Sequence, residues 1–274
     1  MSLPPEQAAA SFRLRHPDLV LPPVVVVVPA FNEAGAVGPV VRSVPAQLGG
    51  LDAATLVVDD GSTDATVAEA REAGALVCSL PVNCGQGTAL RLGYDVAIEH
   101  GARYLATLDA DGQWSAADLD PMAARVTSGH ADIVSGTRRG PAPHHGSQAH
   151  SHGQGTDQHD TDDRALRRSG VVVFAAVIRL LTGARVTDPA NGLRVMTSEV
   201  ARGVQLDQPQ FQSTELLISA LSRGFRFEEV PVGHGPRQVG VSKKGRSMGY
   251  ALRFSRALFG TYVRERGWRH QARP

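Results

Sequence analysis

Five consecutive valines at positions 24–28 are the feature that most restricts how this chain can fold. β-Branched residues favour strands, and an apolar run without polar alternation is typical of a central parallel strand covered on both faces. We expect Pro29 to end this strand. The run therefore predicts an α/β protein with a Rossmann-like, mainly parallel sheet flanked by helices.

The order of strand, polar turn and helix then repeats along the chain. Further strands are predicted within 54–60, 74–80, 104–111, 131–139, 188–196 and 225–237, the last at a sheet edge because it contains Pro231. Helices are predicted at Gly38–Leu48, Asp64–Ala73, 83–101, 169–183, 213–224 and 248–268.

Three of the predicted strands end in clusters of polar side chains. The clusters are Pro29-Ala-Phe-Asn-Glu33, Asp59-Asp60-Gly-Ser62 and Asp109-Ala-Asp111-Gly-Gln113. Because the carboxyl ends of parallel strands meet at one edge, where ligands bind in such sheets, the three clusters predict a shared site.

The third cluster has the chemistry of a metal site. In an extended segment, residues two apart point to the same side, so Asp109 and Asp111 can aim at one point, with the Gln113 oxygen nearby. Like charges this close favour an intervening cation, and oxygen ligands suit Mg²⁺ or Mn²⁺. The alternative is that Asp111 is a helix N-cap and Asp109 a surface residue.

The second cluster predicts a division of roles between two aspartates. One carboxylate would accept hydrogen bonds that fix the turn, and the other, for which we choose Asp60, would be free to meet an N–H group of a nucleobase. Ser62 and Asp64 are better explained by helix capping. The glycines of "GQG" at 85–87 are equally consistent with a simple tight turn.

Charge is unevenly distributed along the chain. Ten of the 28 Lys and Arg residues lie from Arg237 onward with one acid, Glu265, so the first 236 residues carry 18 basic and 26 acidic groups. A basic segment on an acidic body indicates a phosphate-bearing partner or an anionic membrane surface, the alternative being a solvated tail.

The stretch 140–163 contains five histidines and four aspartates but few apolar side chains. Such a composition cannot offset its ordering entropy by burial, so we predict a mobile loop. Histidine-rich tracts can bind transition metals, but these histidines lack a regular helical spacing, and we favour the solvated loop.

Seven motifs in one order give the chain a family resemblance over residues 23–246. They are VVVPAFNE, VVDDGSTDAT, GQGTALRLGY, LDADGQ, DIVSGTRR, TDPANGLRVM and VPVGHGPRQVGVSK. The chain resembles the family-2 inverting glycosyltransferases of the GT-A fold, and most of all the polyprenyl-phosphate sugar synthases of the dolichol-phosphate mannose type. The resemblance implies one GT-A domain at 23–246. The residues on either side of it predict a flexible lead-in at 1–22 and a basic amphipathic helix and tail at 247–274.

The resemblance also implies roles for individual residues. The nucleotide-sugar would be bound by Pro29, Ala30, Glu33, Asp60, Asp109 and Ala110. The metal ligands would be Asp109, Asp111 and Gln113. The acceptor and its phosphate would be bound by Arg138, Arg194, Ser242 and Lys243. Arg237 would close over the diphosphate and metal. The predicted catalytic residues are Asp111, Asp188 and Arg237.

The implied reaction moves a hexose from GDP-mannose or a UDP-sugar to a polyprenyl phosphate. An acceptor phosphate is already an anion and needs no strong base, whereas a hydroxyl acceptor would need one. Asp188 is the candidate base, although a turn before Pro189 explains it equally well. The alternatives are transfer to a soluble or glycan hydroxyl and, disfavoured by the intact DADGQ, a nucleotide-binding module without turnover.

No stretch approaches 18 uninterrupted apolar residues, and the N-terminus lacks a charged-then-apolar signal pattern. We therefore expect a cytoplasmic protein. Its basic C-terminal helix would either contact the inner face of the membrane or dock on the body of the protein itself. We expect no nucleic-acid partner.

Overall fold

The computed structural model describes residues 3–139, 175–208, 211–235 and 255–265. Its strands are β1 (Val24–Ala30), β2 (Gln47–Leu48), β3 (Leu51–Asp59), β4 (Leu76–Ser79), β5 (Tyr104–Thr107), β6 (Ile133–Thr137), β7 (Arg194–Thr197) and β8 (Phe227–Pro231). Its α-helices are α1 (Pro4–Arg15), α2 (Val37–Ser43), α3 (Thr66–Glu72), α4 (Gln86–Glu99), α5 (Leu119–Thr127), α6 (175–182), α7 (Ser198–Gly203), α8 (Gln212–Ser222) and α9 (255–265). A 3₁₀ turn, Ala116–Asp118, leads into α5.

The N-terminal residues are not the flexible lead-in that we predicted. Helix α1 packs on the protein through Ala8 and Phe12, which are buried in the same apolar cluster as Val25 and Val27 of β1.

The strands form one sheet in the order β2-β3-β1-β5-β7-β6-β8, with β4 paired beside β3. β1 is parallel to β3 and β5, β3 to β4, and β6 to β8, whereas β2 and β7 run antiparallel to their neighbours. The predicted mainly parallel sheet is confirmed, and β8 lies at an edge as Pro231 indicated. Because β7 runs opposite to β5 and β6, the residues before β7 lie where β5 and β6 end.

The valine run forms the buried centre of the sheet. Every residue of β1 is buried, and successive valines alternate between two apolar clusters on opposite faces. The prediction that Pro29 ends the strand is wrong, since β1 continues to Ala30. The missing amide hydrogen of Pro29 removes no hydrogen bond from the sheet. Val27 O accepts from Leu108 N on the β5 side, and Ala30 O accepts from Asp60 N on the β3 side, so position 29 faces β5. The pairing of β5 with β1 ends at Val27.

Helix α4 lies directly against β1 and β3 because it carries a glycine at the contact. A Cβ atom on Gly93 would lie 2.4 Å from Val27 Cγ1 and 2.8 Å from Val58 Cγ2. Only glycine permits this approach, which fixes the helix on the sheet. The first residue of the helix, Gln86, follows the loop at the carboxyl end of β4.

The basic C-terminal segment contains α9, which docks on the body of the protein. Leu258 is buried in one apolar cluster with Ile178 of α6 and Leu217 of α8. The buried carboxylate of Glu265 accepts from Arg223 Nε at 2.9 Å. The helix predicted at 248–268 is thus present over its described residues, 255–265, with one face packed on the protein.

Within the described ranges, no helix combines the length and the apolar character needed to cross a membrane. The histidine-rich stretch 140–163 lies outside the described residues, as do Arg237, Ser242 and Lys243.

Candidate active site at the carboxyl edge of the sheet

The polar clusters singled out in the sequence lie along one edge of the sheet. β1, β3, β5 and β6 point the same way, so residues 30–33, 60–62, 109–113 and 138 follow strands at a common edge. Residues 188–192, which lead into the antiparallel β7, join them there. This is the edge at which open α/β sheets bind ligands.

The loops after β1 and β3 are tied together by reciprocal hydrogen bonds. Asn32 N donates to Ser62 Oγ at 2.9 Å, and Asn32 Oδ1 accepts from Thr63 N at 2.9 Å. Ser62 therefore bridges two loops, and the prediction that it caps a helix is wrong. Asp64 Oδ1 accepts from Thr66 N at 3.0 Å, one residue before the N-cap position of α3, which is Ala65. The paired loops form one wall of the site.

Pro29, Ala30 and Glu33 lie at the base of this wall. Pro29 and Ala30 are buried at the end of β1, and Ala30 O accepts from Asp60 N at 2.8 Å. Glu33 N donates to Thr66 Oγ1 at 2.9 Å. Their contact with a nucleotide stays a prediction.

Asp59 and Asp60 are both buried and both hold backbone. Asp59 Oδ1 accepts from Ser62 N at 2.9 Å, whereas Asp60 accepts from Cys84 N at 2.7 Å and Gly85 N at 2.9 Å. Burial raises the pKa of Asp60, although the two backbone N–H groups oppose the shift. Contrary to our expectation, Asp60 is not free of the local backbone. Each of its oxygens keeps a second lone pair, so a contact with a nucleobase stays a prediction.

Asp109 is held in one orientation by two side-chain donors. Its Oδ1 accepts from Gln86 Nε2 at 3.1 Å, and its Oδ2 accepts from Trp114 Nε1 at 3.1 Å. The carboxylate lies close over Gly192, where an added Cβ would be 2.9 Å from Oδ2. The position of this carboxylate is therefore set by three residues that come from different segments of the chain.

Asp111 and Gln113 lie in the turn that follows β5, with Gly112 at a φ of 73°. The alternation of an extended strand, on which we based their shared direction, does not apply in this turn. Asp111 Oδ1 accepts from Gln113 N at 3.1 Å. The N-cap alternative for Asp111 is wrong, because the N-cap positions of the 3₁₀ turn and α5 are Ser115 and Asp118.

The side chains of this turn fit a hard divalent cation. Two carboxylates and an amide oxygen are ligands that Mg²⁺ and Mn²⁺ prefer, and Mg²⁺ usually combines one or two protein carboxylates with substrate phosphates. In the described part of the chain, no three His, Cys, Asp or Glu side chains cluster as a ready-made metal cage. A cation held by Asp109 and Asp111 would have coordination positions left for phosphate oxygens.

The chain that leaves β8 returns to this turn. Trp114 and His234 form an isolated antiparallel bridge with their rings 4.5 Å apart, edge to face. Gly235 N donates to Gln113 O at 2.8 Å. Residue 235 therefore lies beside the acidic turn, two positions before Arg237, which is outside the described residues.

Arg138, the first residue after β6, is held by a buried carboxylate. Arg138 Nε and Nη2 donate to Asp188 Oδ2 and Oδ1, both at 2.7 Å. The Asp188 side chain is 2% exposed and that of Arg138 is 41% exposed. Burial acts to raise the pKa of Asp188, but the bonds to Arg138 outweigh burial and hold the pKa below its ordinary value. A carboxylate in this state is a weak base, which counts against the catalytic role predicted for Asp188.

Glu229 of β8 fixes the segment that carries Asp188. Its carboxylate accepts from Thr187 Oγ1 at 2.7 Å and from Asp188 N at 3.0 Å. Thr187 Oγ1 also pairs with Thr137 Oγ1 at 2.8 Å. The residues that precede Arg138 and Asp188 are thus joined to each other as well.

Arg194 does not lie at the acceptor surface. It is 2% exposed, and its guanidinium donates to the backbone carbonyls of Pro189 and Ser213. Burial lowers the pKa of Arg194 to about 10, against the opposing influence of surrounding acidic groups. This is the placement of an internal cation, so the prediction that Arg194 contacts the acceptor phosphate is not supported.

Four residues of the site escaped the sequence analysis. They are Gln86, Trp114, Gly192 and Glu229. Trp114 directly follows the acidic motif and Gln86 lies within the "GQG" turn, so both had a local signal. Gly192 lies within the quoted motif TDPANGLRVM, but its place beside Asp109 depends on the antiparallel pairing of β7 with β5. Glu229 had no local signal.

Comparison with known proteins identifies the family. The profile of glycosyl transferase family 2 matches residues 25–177, more than half of the chain. A dolichyl-phosphate hexose transferase of Haloferax volcanii is 28% identical over 219 residues, covering 78% of this chain and 83% of that one. A polyprenol monophosphomannose synthase of Mycolicibacterium smegmatis is 28% identical over 198 residues, covering 69% of each chain.

A solved structure shows the same fold. Glucosyl-3-phosphoglycerate synthase from Mycobacterium tuberculosis, in complex with Mn²⁺, uridine diphosphate and phosphoglyceric acid, has a TM-score of 0.62 at 18% identity. The match covers 94% of this chain and 82% of that one. The predicted GT-A fold is confirmed, and the chain is a glycosyltransferase that belongs to family 2.

Proposed function

We propose that the chain moves a hexose from a nucleotide-sugar to a polyprenyl phosphate, with inversion at the anomeric carbon and with Mg²⁺ or Mn²⁺ bound. The observation that carries the proposal is the arrangement of charge along one sheet edge. The acidic turn at 109–113 suits a cation on a diphosphate, and Arg138, directly after β6, suits an acceptor phosphate. The relatives named for dolichyl-phosphate and polyprenol-phosphate chemistry support this acceptor class.

On the donor side, Asp109, Asp111 and Gln113 would hold the cation. When bound, the cation supplies positive charge that stabilises the departing nucleoside diphosphate. Because Gln86 and Trp114 already orient Asp109, little reorganisation is needed when the donor enters.

The rest of the donor site would come from the paired loops and the buried strand ends. The proposed nucleotide contacts are Asp60, Glu33, Pro29, Ala30 and the buried Ala110. The proposed donor is a UDP-sugar or GDP-mannose. Arg237, outside the described residues, is the proposed cation that closes over the diphosphate.

On the acceptor side, the reaction needs an anion and a group that holds it. A phosphate monoester supplies its own nucleophilic oxygen, and Arg138 is exposed enough to bind it, with Ser242 and Lys243 as further proposed contacts outside the described residues. A hydroxyl acceptor would need a base, yet both oxygens of Asp188 are bonded to Arg138. This geometry favours the phosphate acceptor over the hydroxyl acceptor.

A lipid-linked acceptor also requires the enzyme to work at a membrane surface. The outer face of α9 exposes Phe259 and Val263, which are 50% and 67% exposed and one turn apart, with the exposed Arg256 on the same face. Leu180 of the neighbouring α6 is 84% exposed. Apolar side chains beside arginines suit the interface of an anionic bilayer. We include in the proposal peripheral contact with the inner face of the cytoplasmic membrane through the C-terminal segment.

The test is a transfer assay with a matched pair of acceptors. The purified protein is incubated with Mn²⁺ or Mg²⁺, a panel of radiolabelled UDP-sugars and GDP-mannose, and either a short polyprenyl phosphate or the corresponding polyprenol. We expect label in the lipid fraction only with the phosphate, and loss of transfer when the metal is chelated.

The alternatives give different results in the same assay. Transfer to the polyprenol or to a soluble glycan, with none to the phosphate, would replace the acceptor class. Metal-dependent donor binding without transfer to any acceptor would indicate a nucleotide-binding module and would contradict the proposal.

A further inference from the structure

We infer that Asp188 is a positioning residue for the acceptor, which acts by holding Arg138 in a fixed orientation, and that it is not the base of the reaction. The inference rests on the proposed phosphate acceptor. It assigns the function of the Arg138–Asp188 pair, two residues that are 50 positions apart in the sequence.

The first argument is the count of hydrogen-bond donors on Arg138. A guanidinium has five N–H donors, and the bonds from Nε and Nη2 to Asp188 use two of them. The three that remain include the Nη1–Nη2 edge, which is the parallel fork that binds phosphate oxygens. Among the described residues, Nη1 has no hydrogen-bond partner, and the side chain is 41% exposed.

The second argument is that the pair is built rigidly. Arg138 N also donates to Asp188 Oδ2, at 3.3 Å, so the carboxylate holds both the backbone and the side chain of the arginine. Glu229 and Thr187 fix the backbone on which Asp188 sits. An arginine held this way loses little conformational entropy when it binds an anion.

The third argument is the occupancy of the Asp188 carboxylate. A general base must have a lone pair within reach of the proton that it accepts. Asp188 is 2% exposed. Its Oδ2 accepts from both N and Nε of Arg138 and its Oδ1 accepts from Nη2, so the lone pair that these bonds leave lies on a buried oxygen. Its contacts are those of an anchor for the arginine.

The chain supplies a matched control at the other end of β6. Arg226 Nε and Nη2 donate to Asp132 Oδ2 and Oδ1 at 3.1 and 2.6 Å, and Arg226 N donates to Oδ2 at 2.8 Å. The bonding pattern is the same, but this pair lies at the opposite edge of the sheet from the site. Asp132→Asn therefore makes the same chemical change without touching the proposed acceptor site.

The experiment is a double-mutant cycle with Arg138→Met, Asp188→Asn and the double variant, assayed with a short polyprenyl phosphate. We expect Asp188→Asn to raise the KM for the lipid phosphate about 10- to 100-fold, by analogy with the loss found when a residue that orients a metal ligand is replaced. The KM for the donor should stay unchanged, as should all kinetic parameters of Asp132→Asn. The double variant should be no worse than Arg138→Met alone, because Asp188 acts through that arginine.

A catalytic base would give a different pattern and would overturn the inference. The kcat of Asp188→Asn would then fall about 100-fold or more with the acceptor KM unchanged, and the defect would add to that of Arg138→Met. Arg138→Lys covers the case in which Asp188→Asn does not fold. Lysine keeps the charge but cannot be held by two parallel bonds, so we expect a rise in acceptor KM, and an unchanged KM would contradict the inference.

Failure of the proposed function is distinguishable from failure of the inference. Wild-type protein that transfers sugar only to a hydroxyl acceptor would overturn the proposed acceptor and, with it, this role of Arg138. Wild-type transfer to the phosphate combined with a purely additive kcat defect would overturn the inference alone.

Discussion

Two ion pairs with the same bonding pattern lie at the two ends of β6, in different surroundings. At both ends, an arginine offers Nε, Nη2 and its own backbone N–H to one aspartate. At the carboxyl end, the Asp188 side chain is 2% exposed and sits among other charged groups of the site, whereas at the amino end, Asp132 is 23% exposed and Arg226 is 58% exposed. An exposed pair contributes little to stability. Because the two pairs share one bonding geometry, only their surroundings distinguish the pair that we propose to serve the acceptor.

The contrast extends to the whole sheet. At the carboxyl edge, oriented carboxylates and the guanidinium of Arg138 lie on loops that are hydrogen-bonded to one another. If this edge is the active site, substitutions there should reduce activity much more than stability, and substitutions at the amino edge should leave activity unchanged.

The largest expected effect is that of Asp111→Asn. Removing one of two carboxylate ligands should weaken metal-dependent donor binding at least about 100-fold. The fold should stay intact, because asparagine keeps a side-chain oxygen that can accept from Gln113 N. Isothermal titration of UDP or GDP in the presence of Mn²⁺ measures this loss. Asp52→Asn, in the exposed β2–β3 hairpin, is the control and should bind like wild type. Equal affinity of Asp111→Asn and wild type would contradict the assignment of a metal site to this edge.

Gly192→Ala should have an intermediate effect. The new methyl group would lie 2.9 Å from Asp109 Oδ2, so the carboxylate must shift away from its bonds to Gln86 and Trp114. A misplaced ligating group should lower kcat/KM about 10- to 100-fold. The melting temperature should change little, because a side chain gives way and not the backbone.

The control for Gly192→Ala is Gly38→Ala. An added Cβ at Gly38 has its nearest contact at 3.4 Å, with the flexible end of Arg42. This variant should keep full activity. A melting temperature that falls steeply in Gly192→Ala with normal kcat/KM would mean that Gly192 serves packing and does not position Asp109.

The sequence was sufficient for features that depend on local pattern. The valine run, the strand order along the chain and the acidic motif after β5 can be read locally, because burial on both faces and turn chemistry act over a few residues. Pairings between strands across the sheet cannot be predicted from such local patterns. Asp188 meets Arg138 only because β7 turns antiparallel beside β6, and a pattern of single residues carries no information on that register.

The fate of Arg194 shows the same limit. A cation in a family motif predicts a ligand contact, but β7 carries Arg194 into the interior, where it bonds to the carbonyls of Pro189 and Ser213. Whether a charged side chain lies at the surface or in the core depends on the packing of α8 over the sheet. Sequence motifs do not contain that packing.

The smallest expected effect is the change in melting temperature with pH when the aspartate of either β6 ion pair is replaced. Their arginines hold the pKa values of Asp188 and Asp132 below the ordinary value, for Asp188 against the opposing effect of its burial. A lowered folded-state pKa stabilises the fold at pH values above the unfolded pKa of about 3.9, and this contribution is lost as pH falls through the folded pKa.

The melting temperatures of wild type and Asp132→Asn should therefore differ by at most a few degrees at pH 7 and converge below about pH 4. Asp188→Asn should show a larger difference at pH 7, because it leaves a partly buried arginine without its anion, and should converge over the same range. Thermal melts at pH 7, 5, 4 and 3 test both variants, and a difference that grows on acidification would show that neither aspartate is stabilised as its anion.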